Sequence, residues 1–174
     1  MQKSETENKI GFSNEELVDI ITATLTKGAS TRMKALGSSM NPFIRCGDIL
    51  TISPLSKASI GVGKATAFTC VKRKRLTVHR AIKKEGNGYI IKGDNCGDPD
   101  GLVSLNNILG VITKVERDNR RIFFGLGAER FIIAFLSRRG WLPFVYRFKI
   151  FILKNTGKFI PANTRKFIKC RIRL

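Results

Sequence analysis

Between Thr31 and Glu116 the chain is a succession of short apolar runs punctuated by Gly, Pro, Asn and Asp. The runs are Ile49–Ile52, Ala65–Val71, Leu76–Ile82, Tyr89–Ile91 and Ile108–Val115, and they are rich in Ile, Val and Thr. Branched and aromatic side chains lose rotamer freedom in a helix and pack well on a pleated surface, so these runs predict strands. Asn87-Gly88 stands between two of them and predicts a hairpin. That hairpin pairs the segment around His79, the only histidine, with the segment ending at Lys92. A compact, mainly β domain over residues 29–117 is the expected result.

The flanks read differently. Ser13-Asn14-Glu15-Glu16 forms a capping box, and Leu17, Val18, Ile21 and Leu25 then recur at helical spacing up to Gly28. An amphipathic helix is expected over residues 13–28, preceded by a polar, disordered N-terminus at 1–12. Residues 118–174 form a basic, aromatic-rich extension in which Phe131–Leu136, Trp141–Tyr146 and Phe148–Leu153 favour helices, interrupted by Pro143 and Pro161. A hydrophobic fraction of 43% with 26% charged residues fits one globular domain with appendages.

Charge narrows the choice of partner. The chain carries a net charge of +19, and from Arg130 to Leu174 there are 12 basic residues and no acidic one. Seven of the 12 Phe residues lie in that same stretch, with Trp141 and Tyr146. Cationic and aromatic residues together suit an anionic membrane surface, with nucleic acid the weaker competitor. Met1 to Gly11 lacks the apolar run of a secretory signal and no stretch is long and apolar enough to span a bilayer, so a cytoplasmic or peripheral chain without an anchor is expected. Cys46, Cys70, Cys96 and Cys170 are widely spaced, which predicts reduced thiols and no zinc site.

Chemistry concentrates in three places. Gly37-Ser38-Ser39-Met40-Asn41-Pro42 is a turn leading into a strand, and a serine there can present its hydroxyl and bring its own N–H toward a carbonyl oxygen. His79 lies in a β run, where a histidine is most simply a packed residue. The loop Lys92-Gly93-Asp94-Asn95-Cys96-Gly97-Asp98-Pro99-Asp100 supplies three carboxylates after the partner strand, one of which could orient the imidazole.

Taken in order, Gly37 to Pro42 with Gly47-Asp48, then His79-Arg80, then Lys92 to Asn95, then Gly110-Val111, resemble the motif set of signal peptidase I and its relatives. The resemblance covers roughly residues 30–116. It implies a coiled β-sheet or barrel domain, with Ser39 as nucleophile and His79 as general base, as in the endoplasmic-reticulum and archaeal branch. It further implies Asp100 as the orienting acid, Asp94 as a loop-shaping residue, Ser38 and Arg80 in support, and Met40 and Ile44 at a pocket for small substrate side chains. The expected activity is serine-type cleavage of a peptide or protein precursor, with no cofactor and no metal. Two alternatives remain. A LexA-like self-cleaving regulator shares the fold, but only one helix precedes Ser39 where a helix-turn-helix reader needs two. A membrane-surface interaction protein that keeps the fold without activity is the other.

Overall fold

A computed structural model of the chain describes residues 14–70, 75–142 and 144. Its centre is an antiparallel sheet of eight strands: β1 (Thr31–Lys34), β2 (Ile49–Ser53), β3 (Ala65–Cys70), β4 (Arg75–Glu85), β5 (Gly88–Lys92), β6 (Gly101–Ser104), β7 (Ile108–Arg117) and β8 (Arg120–Ile122). The order is β1-β2-β7-β3-β4-β5-β6, with β8 paired to β7, and the sheet is not closed into a barrel. Register shifts at Thr51/Ile52, Ala67/Phe68 and Ala81/Lys83 bend the strands and coil the sheet. The mainly β fold expected from the runs is what the chain adopts.

The helix α1 (Asn14–Thr26) closes one face of the sheet. Ile21 and Leu25, one turn apart, are buried with Leu50, Ile52, Ala65, Ala67, Ile112 and Val115. Gly28 ends the helix at φ +73°, a conformation glycine enters without a Cβ penalty, and the N–H groups of Gly28 and Ala29 satisfy the last carbonyls. The capping Ser13 lies outside the described residues, as do residues 1–12 and the expected helical piece at 148–153. A second cluster, Phe68, Ala81, Tyr89, Ile91, Val103 and Ile108, fills the space between β3, β4, β5, β6 and β7. Past Arg117 the chain adds β8 to the sheet and then forms α2 (Arg130–Arg138), whose Ile133 packs with Leu142 on Phe43.

The β4–β5 hairpin pairs Glu85 with Gly88, so its two turn residues are Gly86, at φ +52°, and Asn87. The expected turn residue Gly88 is the first residue of β5 instead, because Val103 on the neighbouring strand approaches so closely that any Cβ there would strike its carbonyl. Cysteine chemistry also departs from expectation. Cys46 is disulfide-bonded rather than reduced, since wide spacing in sequence says nothing about which thiols a fold brings together.

One polar contact is set in the middle of this structure. Arg80 on β4 and Asp94, just past β5, are the most deeply buried charged pair among the described residues, with side chains 1% and 0% exposed. The guanidinium donates Nε to Asp94 Oδ1 at 2.8 Å and Nη2 to Oδ2 at 2.7 Å. Its Nη1 donates to the carbonyls of Gly63, at 2.6 Å, and Gly125, at 2.9 Å. Removing one partner of such a pair strands a charge without water. Asp94→Ala is therefore expected to cost about 3–5 kcal/mol of stability in urea unfolding. A loss under about 1 kcal/mol would reduce the pair to the value of a surface bridge.

Candidate active site

Ser39 stands in the connection between β1 and β2. Gly37 turns the chain at φ +87°, a conformation that L side chains rarely adopt, and the following Asn41–Pro42 peptide is cis. Met40 and Ile44 are buried in the core beneath the turn, packed in the same cluster as Leu50 and Ile112. The far side of the turn is fixed by Asp48. Its carboxylate accepts the Arg45 N–H at 2.8 Å and both arms of the Arg117 guanidinium, at 2.8 and 2.7 Å, while Arg117 also donates to the Phe43 carbonyl. The Ser39 turn is thus tied to β7 by a charged clamp, which a charge-assisted bidentate geometry makes stiff as well as strong.

The acidic loop between β5 and β6 crosses in front of this turn. Asn95 donates its backbone N–H to the Ser39 carbonyl at 2.7 Å and its Nδ2 to the Ser38 carbonyl at 3.3 Å. Gly93 passes so near that a Cβ there would lie 2.9 Å from the Ser39 carbonyl oxygen and 3.0 Å from His79 Nε2. Only a residue without a side chain leaves the gap between serine and imidazole open.

His79 lies on β4 opposite Thr66 of β3 and is buried, with the Phe68 ring 6.2 Å from its own. Its Nε2 is 2.9 Å from Ser39 Oγ and its Nδ1 is 2.6 Å from Asp100 Oδ2. An ionised carboxylate can only accept, so with Asp100 ionised Nδ1 carries the proton and Nε2 is left with a lone pair facing the serine hydroxyl. Asp100 is aimed by its backbone: its N–H donates to the Ile91 carbonyl at 2.9 Å, and Gly101 then pairs with Ile91 as β6 begins.

The three loop acids therefore have three environments. Asp100 meets the imidazole, Asp94 is buried against Arg80, and Asp98 is exposed. Burial pushes the Asp94 carboxyl above its ordinary value, and the Arg80 guanidinium offsets only part of that rise. Arg80 bonds Asp94, Gly63 and Gly125 rather than Ser39, His79 or Asp100, and so holds the strand next to His79 against the loop that carries Asp100. Cys96 has a free thiol whose Sγ would lie 2.6 Å from a Cβ on Gly93. Burial first, and the Asp100 carboxylate second, push that thiol up, so it stays protonated and does not compete as a nucleophile.

Three residues of the site went unassigned in the sequence analysis. Asn95 and Gly93 sit inside the motif read there, and the density of Gly and Asn in that loop was the available signal. Arg117 carried none, because its partner Asp48 is 69 residues away. Among the described residues no three His, Cys, Asp or Glu side chains converge as a metal site. In comparisons with known proteins, the chain matches no family model and no curated protein.

With a single histidine in the chain, the Nδ1 proton can be followed without assignment ambiguity. A low-field imidazole proton resonance is expected in the native protein and in Asp98→Asn, and should disappear in Asp100→Ala. Its survival in Asp100→Ala would show that another group holds Nδ1.

Proposed function

We propose that this chain is a serine endopeptidase of the signal peptidase type, acting on a peptide or protein precursor through Ser39, His79 and Asp100. The observation that supports it is one unbroken line of contacts, from Asp100 Oδ2 through both ring nitrogens to Ser39 Oγ, assembled from three elements distant in sequence. A histidine placed by packing alone has no reason to bridge a carboxylate and a hydroxyl at both nitrogens. The ordered motifs that resemble the Ser/His branch of signal peptidases support the same reading.

In this scheme Ser39 Oγ attacks the scissile carbonyl carbon and passes its proton to His79 Nε2. Asp100 accepts the Nδ1–H throughout, holding the tautomer and stabilising the imidazolium. The carbonyl oxygen, now carrying negative charge, meets the Ser39 N–H, for which no backbone acceptor is found among the described residues. Asn95 contributes by holding the Ser38 and Ser39 carbonyls, which fixes the direction of that N–H. Collapse of the tetrahedral species breaks the C–N bond, and Nε2 returns its proton to the departing amine. A water then attacks the Ser39 ester, gives its proton to the same nitrogen, and releases the acid product and the serine. All protons move through His79, so the scheme calls for no cofactor.

The resemblance further implies a small side chain before the scissile bond; Met40 and Ile44, which it assigns to the pocket, are buried in the core cluster and so lie behind the Ser39 turn rather than on an open surface. A catalytically silent membrane-surface protein is the weaker reading, because nothing in that role needs the serine, imidazole and carboxylate in line. Among the described residues no helix is long and apolar enough to cross a membrane.

The test is cleavage of a precursor-peptide library followed by mass spectrometry. The native chain is expected to cut after small residues and Ser39→Ala to cut nothing. Asp100→Asn should lower turnover by roughly 10²–10⁴-fold with little change in KM, because its effect falls on the imidazolium rather than on substrate binding. Undiminished cleavage by Ser39→Ala would remove the proposal.

A further inference from the structure

The outer surface of β8, α2 and their connection is unusual for a face turned to water. Phe123, Phe124, Phe131, Ile132, Phe135, Trp141 and Phe144 are each more than half exposed. On α2, Ile133, Ala134 and Ser137 face inward, which leaves Phe131, Ile132 and Phe135 on the outer stripe with Arg138 and Arg139 one turn further along. Apolar groups thus occupy both sides of the helix. Ordinary surface helices keep their outer stripe polar, and contiguous exposed apolar area of this kind marks a docking surface.

Charge identifies what docks. Residues 120–142 hold five arginines and a single acid, Glu129. The Glu129 carboxylate is turned onto the Gly125 and Gly127 N–H groups of the connection, at 2.7 and 3.0 Å. Three of the arginines lie over the exposed rings themselves: Arg121 over Phe123 at 4.8 Å, Arg130 over Phe131 at 4.5 Å and Arg139 over Phe135 at 5.2 Å. A guanidinium stacked on a ring stands at the level of the ring, where lipid phosphates lie once the ring enters the acyl boundary. A protein partner would need an apolar patch rimmed by acids at matching spacing, whereas an anionic bilayer offers both layers everywhere.

The face is also held firmly. Phe124 rests on Phe43 with ring centroids 5.3 Å apart, and Ile133 and Leu142 pack on the same Phe43. The loop rings and the helix therefore share one support and present one surface. We infer that the β8–α2 face, built from Phe123, Phe124, Phe131, Phe135 and Trp141 with Arg121, Arg130, Arg138 and Arg139, is a docking site for an anionic phospholipid surface. It goes beyond the peptidase reading and uses neither Ser39 nor His79, so either can fail without the other.

Trp141 is the only tryptophan of the chain and lies on this face. Its emission reports contact directly, with the full-length protein and no substitution. On phosphatidylcholine vesicles containing phosphatidylglycerol, the emission is expected to move to shorter wavelength and to be quenched by lipids brominated on their acyl chains. Pure phosphatidylcholine vesicles should give little of either effect. The combined variant Phe123→Ser, Phe131→Ser and Phe135→Ser should lower partitioning by roughly tenfold or more. Arg138→Gln with Arg139→Gln should lower it by about tenfold on anionic vesicles alone. Three results would overturn the inference: no binding to the anionic vesicles, vesicle binding with Trp141 unchanged and unquenched, or partitioning unaltered in both variants. Should the Phe variant unfold, the native Trp141 signal still decides.

Discussion

The buried pair of Arg80 and Asp94 is the contact on which the rest of the architecture depends. A guanidinium with almost no exposure must satisfy every donor inside the protein, and this one does so by binding three separate pieces of chain: Asp94 in the acidic loop, Gly63 ahead of β3, and Gly125 ahead of α2. Taking two charges out of water is costly, so the pair adds less to net stability than its geometry suggests. What it supplies is position. His79 is the neighbour of Arg80 on β4 and Asp100 lies six residues past Asp94, so the imidazole and its carboxylate are aligned by the lock beside them.

The same lock joins the site to the aromatic face. Gly63, whose carbonyl accepts from Arg80, would meet the backbone oxygen of Arg130 if it carried a Cβ, so the start of α2 seats directly on it. Phe43, four residues past Ser39, lies under the Arg80 guanidinium at 5.4 Å and supports Phe124, Ile133 and Leu142. The serine turn and the histidine strand are therefore both braced against the segment that carries the exposed rings.

How much of this was legible in the sequence follows from what each residue's environment depends on. β2, β3, β4, β5 and β7 carry branched and aromatic residues packed on one or both faces, and local composition reveals that. β1, β6 and β8 went unrecognised: Thr31-Arg32-Met33-Lys34 and Arg120-Arg121-Ile122 carry charge at the outside of the sheet, and Gly101–Ser104 is short and follows a turn-rich loop. Ser39, His79 and Asp100 were singled out through ordered motifs, and the structure brings all three into contact. The Arg80–Asp94 lock and the Arg117–Asp48 clamp depend on partners 14 and 69 residues along the chain, and no local pattern announces them.

The central claim is that the fold turns an ordinary serine hydroxyl into a nucleophile by setting His79 Nε2 against it. Stoichiometric labelling with a fluorophosphonate, mapped by peptide mass, tests this without knowledge of the substrate, since an unactivated serine does not react. The account predicts one adduct per chain, located on Ser39, formed by the native protein and lost in a folded His79→Gln variant. An unlabelled native protein, or labelling of Ser39 at an equal rate in His79→Gln, would contradict it.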